Sequence, residues 1–166
     1  MHAIYIPHLA QVRGQTEKVE VRDHLPELET LTPVQGEVQV WHRGNYLEVK
    51  ARAEAIMTLS CDRCLQQYNH RLSVDTSELI WLQEEVDEAE LPLEREVAYE
   101  DLVETLPPDG YFHPDAWLYE QLCLEIPQRQ LCDSKCPGVE LIEAPKTLSD
   151  RRWASLEALK QQLPNN

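Results

Sequence analysis

Four cysteines in two close pairs, Cys61-Asp62-Arg63-Cys64 and Cys132-Asp133-Ser134-Lys135-Cys136, are the residues of this chain best suited to chemistry. Two thiolates separated by two or three residues can bite one ion from a tight turn, and two such bites complete a tetrahedral shell of soft ligands. The expected occupant is a structural Zn2+ held by Cys61, Cys64, Cys132 and Cys136, although another thiophilic ion would accept the same set. Such a shell has no open coordination position. It holds structure and activates no water, which favours a binding or scaffolding protein over a metalloenzyme.

A Cys-x-x-Cys pair can also do thiol–disulfide chemistry, but the redox motif opens a helix whose dipole lowers the thiol pKa. Here Leu47 to Leu59, with Val49, Ile56 and Thr58, reads as a strand. Strand-like composition resumes from Tyr68 to Val74, so Cys61 and Cys64 are expected in a turn between strands. A redox protein using Cys61 and Cys64 stays as the alternative. The second pair precedes Pro137-Gly138, which stops regular structure and supplies loose backbone for a knuckle. His70 and His113 lack comparable spacing and are weaker ligands. Cys123, within Leu118 to Ile126, reads as packing on the buried face of a helix.

The elements that must position these residues fall into a β-rich first half and a helical second half. Ile4 to Leu9 is expected as an edge strand, since Pro7 confines it to an end or edge, and Glu17 to Val21 as another. Val34 to Trp41 alternates, Arg43-Gly44-Asn45 offers a turn, and Tyr46 to Leu59 returns as a long strand, which makes a hairpin. Leu65 to Trp81 adds a further strand and completes an antiparallel meander or partial barrel. A helix is expected from Pro114-Asp115 to Pro127, and a second from Ser149-Asp150 to Gln162, with Ser149 as its cap and Trp153, Leu156, Leu159 and Leu163 as its apolar stripe. The expectation is one α+β domain over residues 1–166, β-rich in 1–82, an acidic linker in 83–113 and helical in 114–166, with the C-terminal helices tied to the sheet by the cysteine knuckle.

At 166 residues the chain can bury a full core. It shows no membrane-spanning stretch, and its start, Met1 to His8, lacks the basic flank and long apolar core of a secretory signal, so a reducing cytoplasm and no membrane partner are expected. Trp41, Trp81, Trp117 and Trp153 lie outside basic runs and read as core or interface anchors.

The net charge is −15, and a phosphate backbone is held by Lys and Arg, so bulk electrostatics opposes nucleic-acid binding. Glu84 to Glu104 concentrates the excess, with Arg95 its only base. That stretch reads either as a solvated loop or as a docking surface for a basic partner, built from Glu84, Glu85, Asp87, Glu88 and Glu90. Arg63 and Lys135 inside the knuckles, and Arg151-Arg152 beyond them, form a modest positive patch that could touch RNA or offset the formal −2 of a zinc tetrathiolate. Gly-rich phosphate loops and His-Glu-x-x-His patterns are absent.

The segment Thr58-Leu59-Ser60-Cys61-Asp62-Arg63-Cys64-Leu65 resembles the signature of the YceD family, bacterial and plastid proteins associated with accumulation of large-subunit ribosomal RNA. Glu120-Gln121-Leu122-Cys123-Leu124-Glu125-Ile126-Pro127 leading into Cys132 and Cys136-Pro137-Gly138 resembles the family's stretch before its second cysteine group, and Asp150 to Leu156 its closing helix. Leu28 to Pro33 and Leu65 to His70 look closest to cyanobacterial members. Gln130 stands where the family often has a second proline. The resemblance implies a non-catalytic role in producing or stabilising that RNA. One route has the acidic face hold a basic ribosomal protein or large-subunit assembly factor. The other has a local patch of Arg63, Arg71, Arg129, Lys135, Arg151 and Arg152 touch ribosomal RNA directly.

Overall fold

The computed structural model describes residues 1–84 and 103–139. Its centre is a sheet in the order β2-β3-β4-β5-β6: β2 Thr16–Asp23, β3 Val34–His42, β4 Tyr46–Ser60, β5 Gln67–Leu82 and β6 Thr105–Leu106. The first four strands form the expected antiparallel meander, while β6 joins β5 in parallel. A second pairing, of β1 Ile4–Tyr5 with β7 Tyr111–Phe112, brings the two halves of the chain together. Two helices complete the described residues, α1 Ile6–Gln11 and α2 Pro114–Leu124. The sheet remains open and does not close into a barrel.

Period-two alternation decides which side of the sheet faces the core. Along β4, Leu47, Val49, Ala51, Ala53 and Ala55 are buried, while Lys50, Arg52 and Glu54 between them are exposed. Leu72, Val74 and Ile80 continue that inner face on β5, and Val38 and Val40 on β3. Ile6 and Leu9 of α1, with Trp117, Leu118 and Leu122 of α2, cover it in a second layer. Cys123 packs at the margin of this core, as its helical context predicts. The turn between β3 and β4 is the predicted one: Gly44 takes φ +98°, and Arg43 N donates to Tyr46 O at 2.9 Å.

Two expectations need correction. Ile4 to Leu9 is not one strand, because the chain turns helical at Ile6. Pro7 falls in the first turn of α1, where its missing N–H costs no hydrogen bond and its fixed φ suits a helix. The described residues of the acidic linker of 83–113 include two short strands, β6 and β7, whose pairing partners lie far away in sequence. The predicted helix from Ser149 to Gln162 lies outside the described residues.

One carboxylate of β5 adds two polar contacts to the apolar docking of α2. Trp117 Nε1 donates to Glu78 Oε2 at 2.7 Å, and Gln121 Nε2 donates to the same oxygen at 3.2 Å. Beside it, partial burial and then the negative charges of Glu78 and Glu120 raise the pKa of Glu104 above the ordinary carboxylate value. A raised carboxylate means that the folded chain binds its proton more tightly than the unfolded chain does. Stability therefore falls as pH rises through that window, and above it the penalty is constant. Glu104→Gln should melt slightly higher than wild type at pH 7, with the difference closing as pH falls to ~3, below the ordinary glutamate value, where both carry a neutral side chain. Thermal melts at the two pH values check this, and solvent on the open side of Glu104 keeps the effect small.

Candidate metal centre

The β4–β5 hairpin positions the first cysteine pair. Its fifteen-residue and sixteen-residue strands stay paired from Tyr46↔Trp81 to Ser60↔Gln67, whereas β3 pairs β4 only as far as Glu54. The rest is a two-stranded ribbon with Cys61 to Gln66 at its tip. There Leu65 N donates to Cys61 O and Cys61 N to Gln66 O, both at 2.9 Å. The turn forces Leu65 to φ +60°, an uncommon backbone state for a residue with a side chain, and leaves it 73% exposed. The pair therefore sits in a strand-to-strand turn, as expected for a knuckle, and not at a helix start.

The second pair lies beyond the end of α2. Cys136 N donates to Asp133 O at 3.0 Å, and Lys135 N to Asp133 Oδ1 at 2.7 Å, which curls Cys132 to Cys136 into a compact turn. Three hydrogen bonds then join the two turns. Asp62 N donates to Gln130 O at 2.7 Å, Gln130 N to Asp62 Oδ2 at 2.7 Å, and Arg63 Nη1 to Cys136 O at 3.0 Å.

The result is a cluster of four sulfurs within 4.8 Å of one another. Cys61 Sγ lies 3.8 Å from Cys136 Sγ, and Cys64 Sγ lies 3.7 Å from Cys132 Sγ. A tetrahedral shell with metal–sulfur bonds of about 2.3 Å has edges of about 3.8 Å, so the donor set fits a four-coordinate thiophilic ion such as Zn2+. Cys61 and Cys136 are buried, Cys64 is half-buried and Cys132 is exposed, which puts the centre at the surface with one side protected.

The electrostatics also suit a cation. Backbone N–H groups of Cys132, Cys64 and Arg63 aim at Cys61 and pull its thiol down to about 6. Side-chain hydrogen bonding with Cys136, Cys61 and Cys64 pushes Cys132 up to about 12. For Cys136 the N–H of Gly138 lowers the pKa, but burial and the neighbouring sulfurs outweigh it and the thiol moves up. Four sulfurs this close cannot all ionise without a compensating positive charge, and a divalent ion supplies it. Metal binding should therefore release protons and weaken as pH falls.

Of the other predicted site residues, Lys135, Arg71 and Arg129 are exposed, and Arg71 Nη1 donates to Glu54 Oε2 at 3.2 Å on the outer sheet face. Arg63 is engaged with the second turn, as described. Glu84 is exposed; Glu85, Asp87, Glu88, Glu90, Arg151 and Arg152 lie outside the described residues. His70 packs edge-on to Tyr68 with ring centres 6.4 Å apart, and neither it nor His113 joins the sulfur cluster. Sequence reasoning missed Gln130 as the residue that meets Asp62. The only signal was an acidic residue inside the first knuckle. Among the described residues no helix is long and apolar enough to cross a membrane.

A family model described as "Large ribosomal RNA subunit accumulation protein YceD" matches residues 49–160, well over half of the chain, and the match takes in both cysteine pairs. No curated protein and no solved structure matches the chain.

Proposed function

We propose, from the premise that this chain belongs to the YceD family, that it is a non-catalytic cytoplasmic factor supporting accumulation of large-subunit ribosomal RNA. In this reading, Cys61, Cys64, Cys132 and Cys136 hold a structural Zn2+, and an acidic surface holds a basic ribosomal protein or large-subunit assembly factor. The family match carries the RNA role. The net charge of −15 supports a cationic partner, because a focused negative field speeds encounter with basic proteins and opposes direct contact with phosphates. The closed sulfur shell supports a scaffold, since a four-thiolate ion keeps no position open for a substrate.

Depleting the protein should lower large-subunit relative to small-subunit ribosomal RNA, with rescue by wild type and loss of rescue by Cys61→Ser. An unchanged ratio would remove the ribosomal reading.

The Cys-x-x-Cys spacing of Cys61 and Cys64 supports a second reading. The Cys61 thiol, lowered to about 6 and adjacent to Cys64, has the thiolate character of a redox cysteine. Purified without chelator, a zinc scaffold carries one ion per chain with protected thiols. A redox protein comes out metal-free, with Cys61 and Cys64 cycling under mild reductant.

A further inference from the structure

Asp62 and Arg63 occupy the two places between Cys61 and Cys64, and both reach across to the other turn. Asp62 links to Gln130 twice, through its own N–H to the carbonyl and through Oδ2 from the N–H, each at 2.7 Å. Arg63 Nη1 bonds the carbonyl of Cys136 itself at 3.0 Å. The two contacts bracket the second turn, one ahead of Cys132 and one at Cys136. No sulfur takes part in any of them. The sulfur pairs at 3.7 Å and 3.8 Å are thus held at tetrahedral spacing by bonds that do not depend on an ion.

The charges point the same way. A carboxylate beside a shell of formal −2 is unfavourable unless a donor compensates it, and the Gln130 N–H does so in a short charge-assisted bond. The guanidinium of Arg63 sets a fixed positive charge at the rim of that shell.

We infer that Asp62 and Arg63 are positioning residues that preassemble the four-sulfur shell, so that the chain meets its metal ion with the two turns already docked. The inference rests on reading the four cysteines as a metal centre. It goes beyond that reading by assigning the affinity of the site partly to two residues that do not ligate. A shell that must be gathered on binding loses affinity to the ordering of both turns, whereas a preformed one does not.

Titration of the metal-free full-length protein with Co2+ tests this, because a tetrathiolate shell gives an intense sulfur-to-cobalt charge-transfer band and tetrahedral d–d bands. Asp62→Ala and Arg63→Ala should each bind Co2+ about 10–100-fold more weakly than wild type, as outer-shell substitutions do, and should reload more slowly after chelation. At saturation their spectra should match wild type, showing that the four ligands are intact. Asp62→Asn should recover wild-type affinity, because its amide oxygen still accepts from Gln130 N–H. Arg63→Lys should recover part of it. Equal affinity and reloading in wild type and alanine variants would overturn the positioning role while leaving the metal centre in place. So would variants that lose melting temperature with no change in affinity. A wild-type protein giving no charge-transfer band would overturn both readings.

Discussion

Cys61→Ser should leave the protein without tightly bound metal and lower its melting temperature in metal-replete buffer by on the order of 10 °C. Cys61 is the deepest of the four ligands, at 0% exposure, and its Sγ lies 3.8 Å from that of Cys136. A serine hydroxyl is a harder and far less acidic donor, and it cannot replace a buried thiolate in a soft shell. Because an ion that binds only the folded chain stabilises it by mass action, loss of the ion removes that contribution. The comparison has two internal controls. Chelator should bring wild type down to the melting point of the variant and leave the variant itself unmoved. Cys123→Ser, outside the sulfur cluster, should keep its metal. A Cys61→Ser protein with full metal content and an unshifted melt would count decisively against the centre.

Gly36→Ala is expected to be nearly as damaging, for an unrelated reason. Gly36 sits inside β3 opposite Ala53, and a Cβ on it would collide with Arg52 O and with the Cα of Ala53. Those atoms are the backbone of the neighbouring strand and cannot swing aside as a side chain could. Relief requires β3 and β4 to separate at the centre of the sheet, with a cost of about 3 kcal/mol or more. Chemical denaturation should show a lower midpoint with little change in slope. A substitution within ~0.5 kcal/mol of wild type would mean that the strands do not approach so closely. Gly44→Ala in the β3–β4 turn is a useful contrast, since nothing lies near its Cβ and only its φ of +98° opposes the change.

The elements written in local patterns were legible in the sequence. The alternation of Val38 and Val40, and of Leu47, Val49 and Ala51, set both strand type and buried face, and Pro114 marked the start of α2. The cysteine spacing likewise indicated a cluster before any geometry was known. What could not be read was whatever depended on distant partners. Thr105–Leu106 and Tyr111–Phe112 are strands only because β5 and β1 lie beside them, and two residues carry no periodicity. Ile4 to Leu9 misled because its apolar run suits a strand as well as a helix, and Pro7 is compatible with either at an end. Within the site, the ligands were recognisable by type, whereas the Asp62–Gln130 and Arg63–Cys136 contacts join positions 68 and 73 residues apart and have no local signature.

The place of the cysteines on the ribbon has a topological consequence. Residues 64 and 132 are the inner limits of the cluster, so an ion held there turns everything between them into a closed ring that contains β5, β6, β7 and α2. The helix can then lift off the sheet without its end escaping, because its chain remains moored at the ribbon tip. Reclosing becomes a short intramolecular search, with less loop entropy to recover than a free end would lose. In the metal-loaded protein, amide exchange in α2 should report brief openings that reseal, while in the metal-free chain only the Asp62–Gln130 and Arg63–Cys136 bonds keep its end at the ribbon tip, and openings should last longer.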